Sequence, residues 1–147
     1  MTIVLSGTVR VRHKDVAASL ATELGWRLVD ADEFRFLPLQ VAPVDRPGAG
    51  RPTWIGALHQ TVAFAADRRE PLIVVGPPLN GTQREALRGS LRCVRYVELR
   101  ERGDWPGTGR PVEEADGSHD DVDLVVDVDP HATPERVLGA VREAFGV

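Results

Sequence analysis

Ile3-Val4-Leu5 is an unbroken apolar run, and beyond a short polar stretch Val16, Leu20 and Leu24 recur at every fourth position before Gly25. The first pattern predicts a strand over Thr2 to Ser6 that is buried on both faces. The second predicts a helix over Lys14 to Leu24, stopped by the glycine. The alternation continues down the chain. Trp26 to Val29 reads as a second strand that runs out in Asp30-Ala31-Asp32. Ile55, Leu58, Val62 and Ala65 share one face of a helix that Thr53 caps and that runs to about Arg69. Leu72 to Val75 is a continuous apolar strand closed by Gly76-Pro77-Pro78, Asn80 to Arg88 a helix, and Cys93 to Leu99 a strand. Asp123 to Val128 is the last strand. Thr133 caps a closing helix, with Pro134 at its first position and Val137, Val141 and Phe145 on one face. Leu37 to Pro52 holds four prolines and two glycines, and Gly103 to Asp121 is rich in glycine, proline and acid; both predict irregular chain.

Strands that alternate with helices, and that lack a polar face, belong to a parallel sheet between two helical layers. A chain of 147 residues suits one such domain, spanning 1–147. The expected fold class is therefore α/β: a three-layer αβα domain with a mostly parallel sheet of about five strands. The strand before Gly7 should be central, flanked by the strands ending at Asp32 and Gly76 or their neighbours.

Composition narrows the functions. The net charge of −4 gives no global basic surface, so nucleic acid is not an expected partner. No apolar run approaches the roughly 20 residues of a membrane span, and no leader pattern is visible, so the reading is cytoplasmic. Cys93 is the single cysteine, which rules out an internal disulfide; its apolar surroundings predict a buried, structural thiol. Lys14 is the only lysine.

The first strand–turn–helix is the setting of a phosphate-binding P-loop. Such a loop reads G-x-x-x-x-G-K-[ST], because small residues let backbone N–H groups close around phosphates and the lysine reaches their outer oxygens. Counting from Gly7, the second glycine falls on Arg12, the lysine on His13 and the hydroxyl residue on Lys14. The setting survives and the loop chemistry does not.

Here the chain resembles the small P-loop kinases of the gluconokinase type, with shikimate kinases a more distant likeness. Their G-x-S-G-S-G-K-S-T-V start and the L-G-W end of the following helix align without a gap from Gly7 to Leu24-Gly25-Trp26. Their D-G-D motif is matched by Asp30-Ala31-Asp32, and their R-x-P-W-L by Arg51-Pro52-Thr53-Trp54-Ile55. Their C-S-A-L-K-x-x-Y-R-D-x-L-R is matched by Gly76 to Arg88, keeping Leu79, Arg84, Leu87 and Arg88. The resemblance implies a P-loop NTPase-like fold. It also implies that the phosphate lysine and the metal-binding hydroxyl are both replaced. Arg35-Phe36 stands where the family has H-P, and the lid motifs are absent, with Gly103 to Asp121 in their place.

The candidate sites follow. Gly7, Arg10, Arg12, His13 and Lys14 would form an anion site at a helix N-terminus, which favours negative charge, and His13 would add a pH dependence. Asp32, at the carboxyl edge of the sheet, is the one candidate base; in the resembled kinases that aspartate faces substrate hydroxyls or the metal. Arg51, Arg84 and Arg88 match substrate-region positions, where guanidinium forks suit carboxylate or phosphate. Asp116, His119, Asp120, Asp121 and Asp123 have no ligand spacing, so no metal is expected, and no cofactor. Ser6, His59 and His131 form no nucleophile–base pattern.

The expectation is a catalytically degenerate gluconokinase-like protein. It would not phosphorylate with ATP, and would bind a small anion or a partner protein through the remade basic loop. The alternatives are repurposed chemistry on a phosphorylated or sulfated small molecule, with Asp32 as base, and an active sugar-acid kinase in which Lys14 replaces the displaced lysine. Loss of the lid would leave an apolar surface, with Trp105 and Leu37 to Pro52 as candidates for it. A homo-oligomer, or a hetero-oligomer with a related protein, is therefore expected, with no membrane partner.

Overall fold

β1 (Thr2–Ser6) is the middle strand of a five-stranded sheet, bonded to β3 (Leu72–Gly76) on one side and β4 (Val94–Glu101) on the other. β2 (Arg27–Asp30) is the edge beyond β3, and β5 (Leu124–Val128) the edge beyond β4. The order is β2-β3-β1-β4-β5 and every pairing is parallel. The strand ending at Gly76 does flank β1. The strand ending at Asp30 lies one place further out, because the chain leaving β1 passes over β3 before it re-enters the sheet. These features come from a computed structural model that describes residues 1–7, 12–36, 54–101, 122–128 and 134–147.

Successive strand residues point to opposite faces, and the core divides accordingly. Ile3 and Leu5 pack with Val16 and Leu20 of α1 (His13–Leu24) and Val137 and Val141 of α5 (Pro134–Phe145). Val4, between them, packs with Leu58 and Val62 of α3 (Trp54–Asp67) and Leu87 of α4 (Gly81–Arg88). All of these side chains are buried, and each contributes roughly 1.5–3 kcal/mol of transfer free energy.

Local chemistry sets the element ends. Gly25 has φ 67°, and its N–H and that of Trp26 return to the carbonyls of Thr22 and Ala21 at 3.3 and 2.9 Å, closing α1. Asn80 and Gln83 form a reciprocal capping box at 2.8 and 3.1 Å that starts α4. His59 Nδ1 lies 2.7 Å from the Leu87 carbonyl, which can only accept, so Nδ1 carries the proton and ties α3 to α4.

Several sequence expectations need correcting. The second strand ends at Asp30 and not at Asp32: Ala31–Phe36 forms a short helix, α2. α3 stops at Asp67, ahead of Arg69, whose positive φ ends helical continuation. Cys93 is half-buried just before β4, not fully enclosed. β5 starts at Leu124, and Asp123 serves the sheet instead, its carboxylate accepting the Tyr96 N–H at 2.7 Å. The proposed caps Thr53 and Thr133, Trp105, and both irregular stretches lie outside the described residues. Among the described residues, no helix is long and apolar enough to cross a membrane.

Candidate functional site at the carboxyl edge of the sheet

β1 leads into a helix on one face of the sheet, and β3, its neighbour, leads into a helix on the other. Adjacent strands whose connections diverge in this way leave a crevice beyond their carboxyl ends, where α/β sheets bind ligands. Gly7 and Gly76 stand at its two sides, and Asp30, paired with Val75, ends the next strand.

α1 begins at this crevice. Arg12, the residue before it, has φ 49° and ψ 42°, the left-handed region. An L-residue with a Cβ is disfavoured there, and glycine is the usual occupant. Arg12 thus holds a backbone conformation that glycine adopts more readily, at the position where α1 begins. His13 is buried and Arg12 is exposed.

Lys14, one residue further on, reaches across to the acids of β2 and α2. Its Nζ lies 2.8 Å from Oδ2 of Asp32 and 3.2 Å from Oδ2 of Asp30. Asp30 Oδ1 accepts the Asp32 N–H at 2.9 Å, so one carboxylate both caps α2 and faces the ammonium. Asp32 Oδ1 takes Arg35 Nη1 at 3.2 Å. The Arg35 guanidinium also lies 5.8 Å from the Trp54 ring, linking α2 to α3.

The electrostatics follow. Hydrogen bonds to Asp32 and then Asp30 raise the Lys14 ammonium above its ordinary pKa. The Lys14 hydrogen bond holds the Asp32 carboxyl below the usual carboxylate range, with a smaller effect from Arg35. Two cations and two carboxylates meet here, and their charges cancel.

Gly7, Arg12, His13, Lys14 and Asp32 all belong to this edge. Arg10 and Arg51 lie outside the described residues. Arg84 and Arg88 are engaged elsewhere, along α4. Arg84 is buried and donates through Nη1 to the Leu79 carbonyl, while its own carbonyl accepts the Tyr96 hydroxyl at 2.7 Å. Arg88 closes the end of α4 farther from Gly76, 3.4 Å from Asp123 and stacked 5.0 Å over Tyr96. Sequence reasoning missed the part played by Arg35; its spacing of three from Asp32 is the signal that could have found it. Among the described residues, no three His, Cys, Asp or Glu side chains gather as a metal site.

No known protein family profile and no curated protein matches the chain. Solved structures do. A sugar kinase from Janibacter sp. HTCC2649 superposes with a TM-score of 0.65 at 16% identity, covering 99% of this chain and 94% of that one. A gluconokinase from Sinorhizobium meliloti 1021 gives 0.57 at 20% identity, over 99% and 89%. A shikimate kinase from Aquifex aeolicus gives 0.58 at 18% identity, over 99% and 96%. The chain therefore has the three-layer αβα fold of the small P-loop kinases.

Proposed function

We propose that this protein is a catalytically degenerate relative of the gluconokinase-type kinases that binds a small anion at the carboxyl edge of its sheet and does not transfer phosphate from ATP. The observation that carries the reading is the start of α1. A left-handed Arg12, a buried His13 and an ion-paired Lys14 stand where phosphoryl transfer needs a bare loop, a free lysine and a hydroxyl ligand. The donors there do not fit Mg²⁺ with a nucleotide, since an ammonium cannot ligate a metal.

The anion would meet the N-terminus of α1 with Gly7, Arg10, Arg12 and His13 around it. Lys14 contributes less than its charge suggests, because two carboxylates already match it. In this reading Arg84 and Arg88 support the scaffold, and Arg51 is the remaining candidate for a substrate contact. Repurposed chemistry with Asp32 as base is the weaker reading: a carboxylate held below its ordinary pKa by two cations is a poor proton acceptor. An active kinase that uses Lys14 would need its amine released from both acids. Binding through this edge to a second copy or a related protein belongs to the same proposal, and sedimentation tests it.

Calorimetry with ATP and Mg²⁺ is the deciding experiment. The expected result is no micromolar binding by the unaltered chain, with binding recovered in Arg12→Gly, His13→Lys, Lys14→Ser. Micromolar, Mg²⁺-dependent affinity in the unaltered protein would sink the reading. Inorganic phosphate should shift the amides of Gly7, Arg12 and His13 in NMR spectra, and less so in Arg10→Ala, Arg12→Ala.

A further inference from the structure

We propose that Lys14 is a built-in counter-cation: its ammonium, held between Oδ2 of Asp30 and Oδ2 of Asp32, takes the place of a divalent metal ion and keeps one out. The inference takes its location from the reading of this edge as the ligand site. It concerns a different property, how the acids there are neutralised.

The geometry is that of a site organised around one positive centre. Each aspartate turns one oxygen to Lys14 and commits the other, Asp30 Oδ1 to the α2 backbone and Asp32 Oδ1 to Arg35. The two Oδ2 atoms therefore converge on a single point, and Nζ occupies it. Two facing carboxylates without a cation would repel each other, by an amount that a buried or half-buried setting magnifies. A metal ion is the usual remedy, and it needs oxygens at about 2.0–2.1 Å for Mg²⁺ and 2.3–2.6 Å for Ca²⁺. Here the contacts are 2.8 and 3.2 Å, the lengths of charge-assisted N–H···O bonds.

Sequence and backbone together place that ammonium. Lys14 sits in the first turn of α1, where a cation meets the unfavourable end of the helix dipole. The acids of β2 and α2 reverse that penalty. Asp30 and Asp32 in turn lie at the start of α2, where negative charge is favoured. The tether also matters: an amine carried on the chain is present at an effective concentration in the millimolar range or above. A free divalent ion must outcompete it, and the chain loses its counter-charge if the ion wins.

The consequence for ligands is specific. With the carboxylates neutralised from within, an anion can approach the edge without bringing a metal. The site would suit inorganic phosphate, sulfate or a monoester rather than a metal–nucleotide complex.

Lys14 is the only lysine, so its ammonium gives one side-chain resonance. The test follows that signal in the unaltered protein during addition of Mg²⁺, and follows Mn²⁺ broadening of the Asp30, Ala31 and Asp32 amides. The expected result is an unmoved ammonium resonance at millimolar Mg²⁺. Mn²⁺ broadening should appear in Lys14→Ser at about tenfold lower concentration, or less, than in the unaltered chain. Lys14→Met, which keeps the stem, serves if the serine variant does not fold. The proposal is overturned if Mg²⁺ displaces the ammonium signal, or if the unaltered and substituted proteins respond to Mn²⁺ alike. A failed phosphate titration with the metal result intact would remove the anion-binding reading alone.

Discussion

The backbone N–H of Asp32 donates to Oδ1 of Asp30 over 2.9 Å, so the residue that ends β2 also caps α2. The arrangement turns the second oxygen of each aspartate outward to Lys14. The start of α2 and the charge balance at this edge are therefore linked through one pair of acids.

Replacing Lys14 with Met should make acid stability less steep. The Asp32 carboxyl has a depressed pKa in the folded state. Its contribution is thus present above the unfolded value of about 3.9 and is lost as pH falls through the lower folded value. The raised Lys14 pKa acts at the other end: its contribution is complete below about 10.4 and is lost as pH rises through the higher folded value. The unaltered protein should be more stable than Lys14→Met across neutral pH, and the difference should shrink in strong acid and strong alkali. Urea melts at pH 2.5, 7 and 11.5 read this directly. A constant gap across all three would mean the bridge is not the cause.

Arg12→Gly should stabilise the fold by about 1 kcal/mol, since the residue already has the left-handed backbone that glycine prefers. The same variant should bind phosphate less well. A rise in melting temperature with weaker phosphate shifts is the expected pair of results; destabilisation would mean that the Arg12 side chain contributes more than its strained backbone costs.

Gly76→Ala should destabilise by about 1–3 kcal/mol. A Cβ at that position would stand 2.9 Å from Ala31 Cβ, and α2 would have to move. Because Asp32 rides on α2, the Lys14 ammonium resonance should shift in the same variant. An unfolding midpoint equal to that of the unaltered chain would show that the gap relaxes freely.

Asp123→Ala should cost about 1–3 kcal/mol, because it removes the carboxylate that accepts the Tyr96 N–H at 2.7 Å. Arg88→Ala removes only a half-exposed ion pair and a ring contact, and should cost about 0.5–1.5 kcal/mol. Equal losses in the two variants would assign the effect to the ion pair instead of the backbone hydrogen bond.

Most of the sheet could be read from the sequence because its strands are buried on both faces. Leu72 to Val75 has no polar residue to mislead, and Val16 and Leu20 carry the helical period to within a residue of the true start of α1. α2 could not be read: six residues are too few for a period, and Asp30-Ala31-Asp32 resembles a turn until the Asp30 cap is seen. At the candidate site, the residues at the start of α1 were legible and their pairing was not. Arg12, His13 and Lys14 are neighbours in sequence, yet the first is exposed, the second buried and the third turned to another strand. Their directions depend on a left-handed backbone at Arg12, which nothing in an arginine announces. Cys93 shows the opposite error, an apolar neighbourhood that did not guarantee burial.

The central position of β1 has a cost in time. Thr2 pairs with Leu72 on one side and Val94 on the other, so β1 has no sheet partner until these much later segments exist. Contacts of such sequence separation slow folding and leave apolar chain uncovered while synthesis proceeds. Ile3-Val4-Leu5 should therefore stay accessible on the ribosome until β3 has emerged, and the sheet should gain its full cooperativity only with β4. Chains that end before Val94 should remain open to protease, and those that include α5, which covers Ile3 and Leu5, should not. If the shorter chains already resist, the half-sheet of β1, β2 and β3 folds by itself, and newborn chains need less shielding than this order of strands implies.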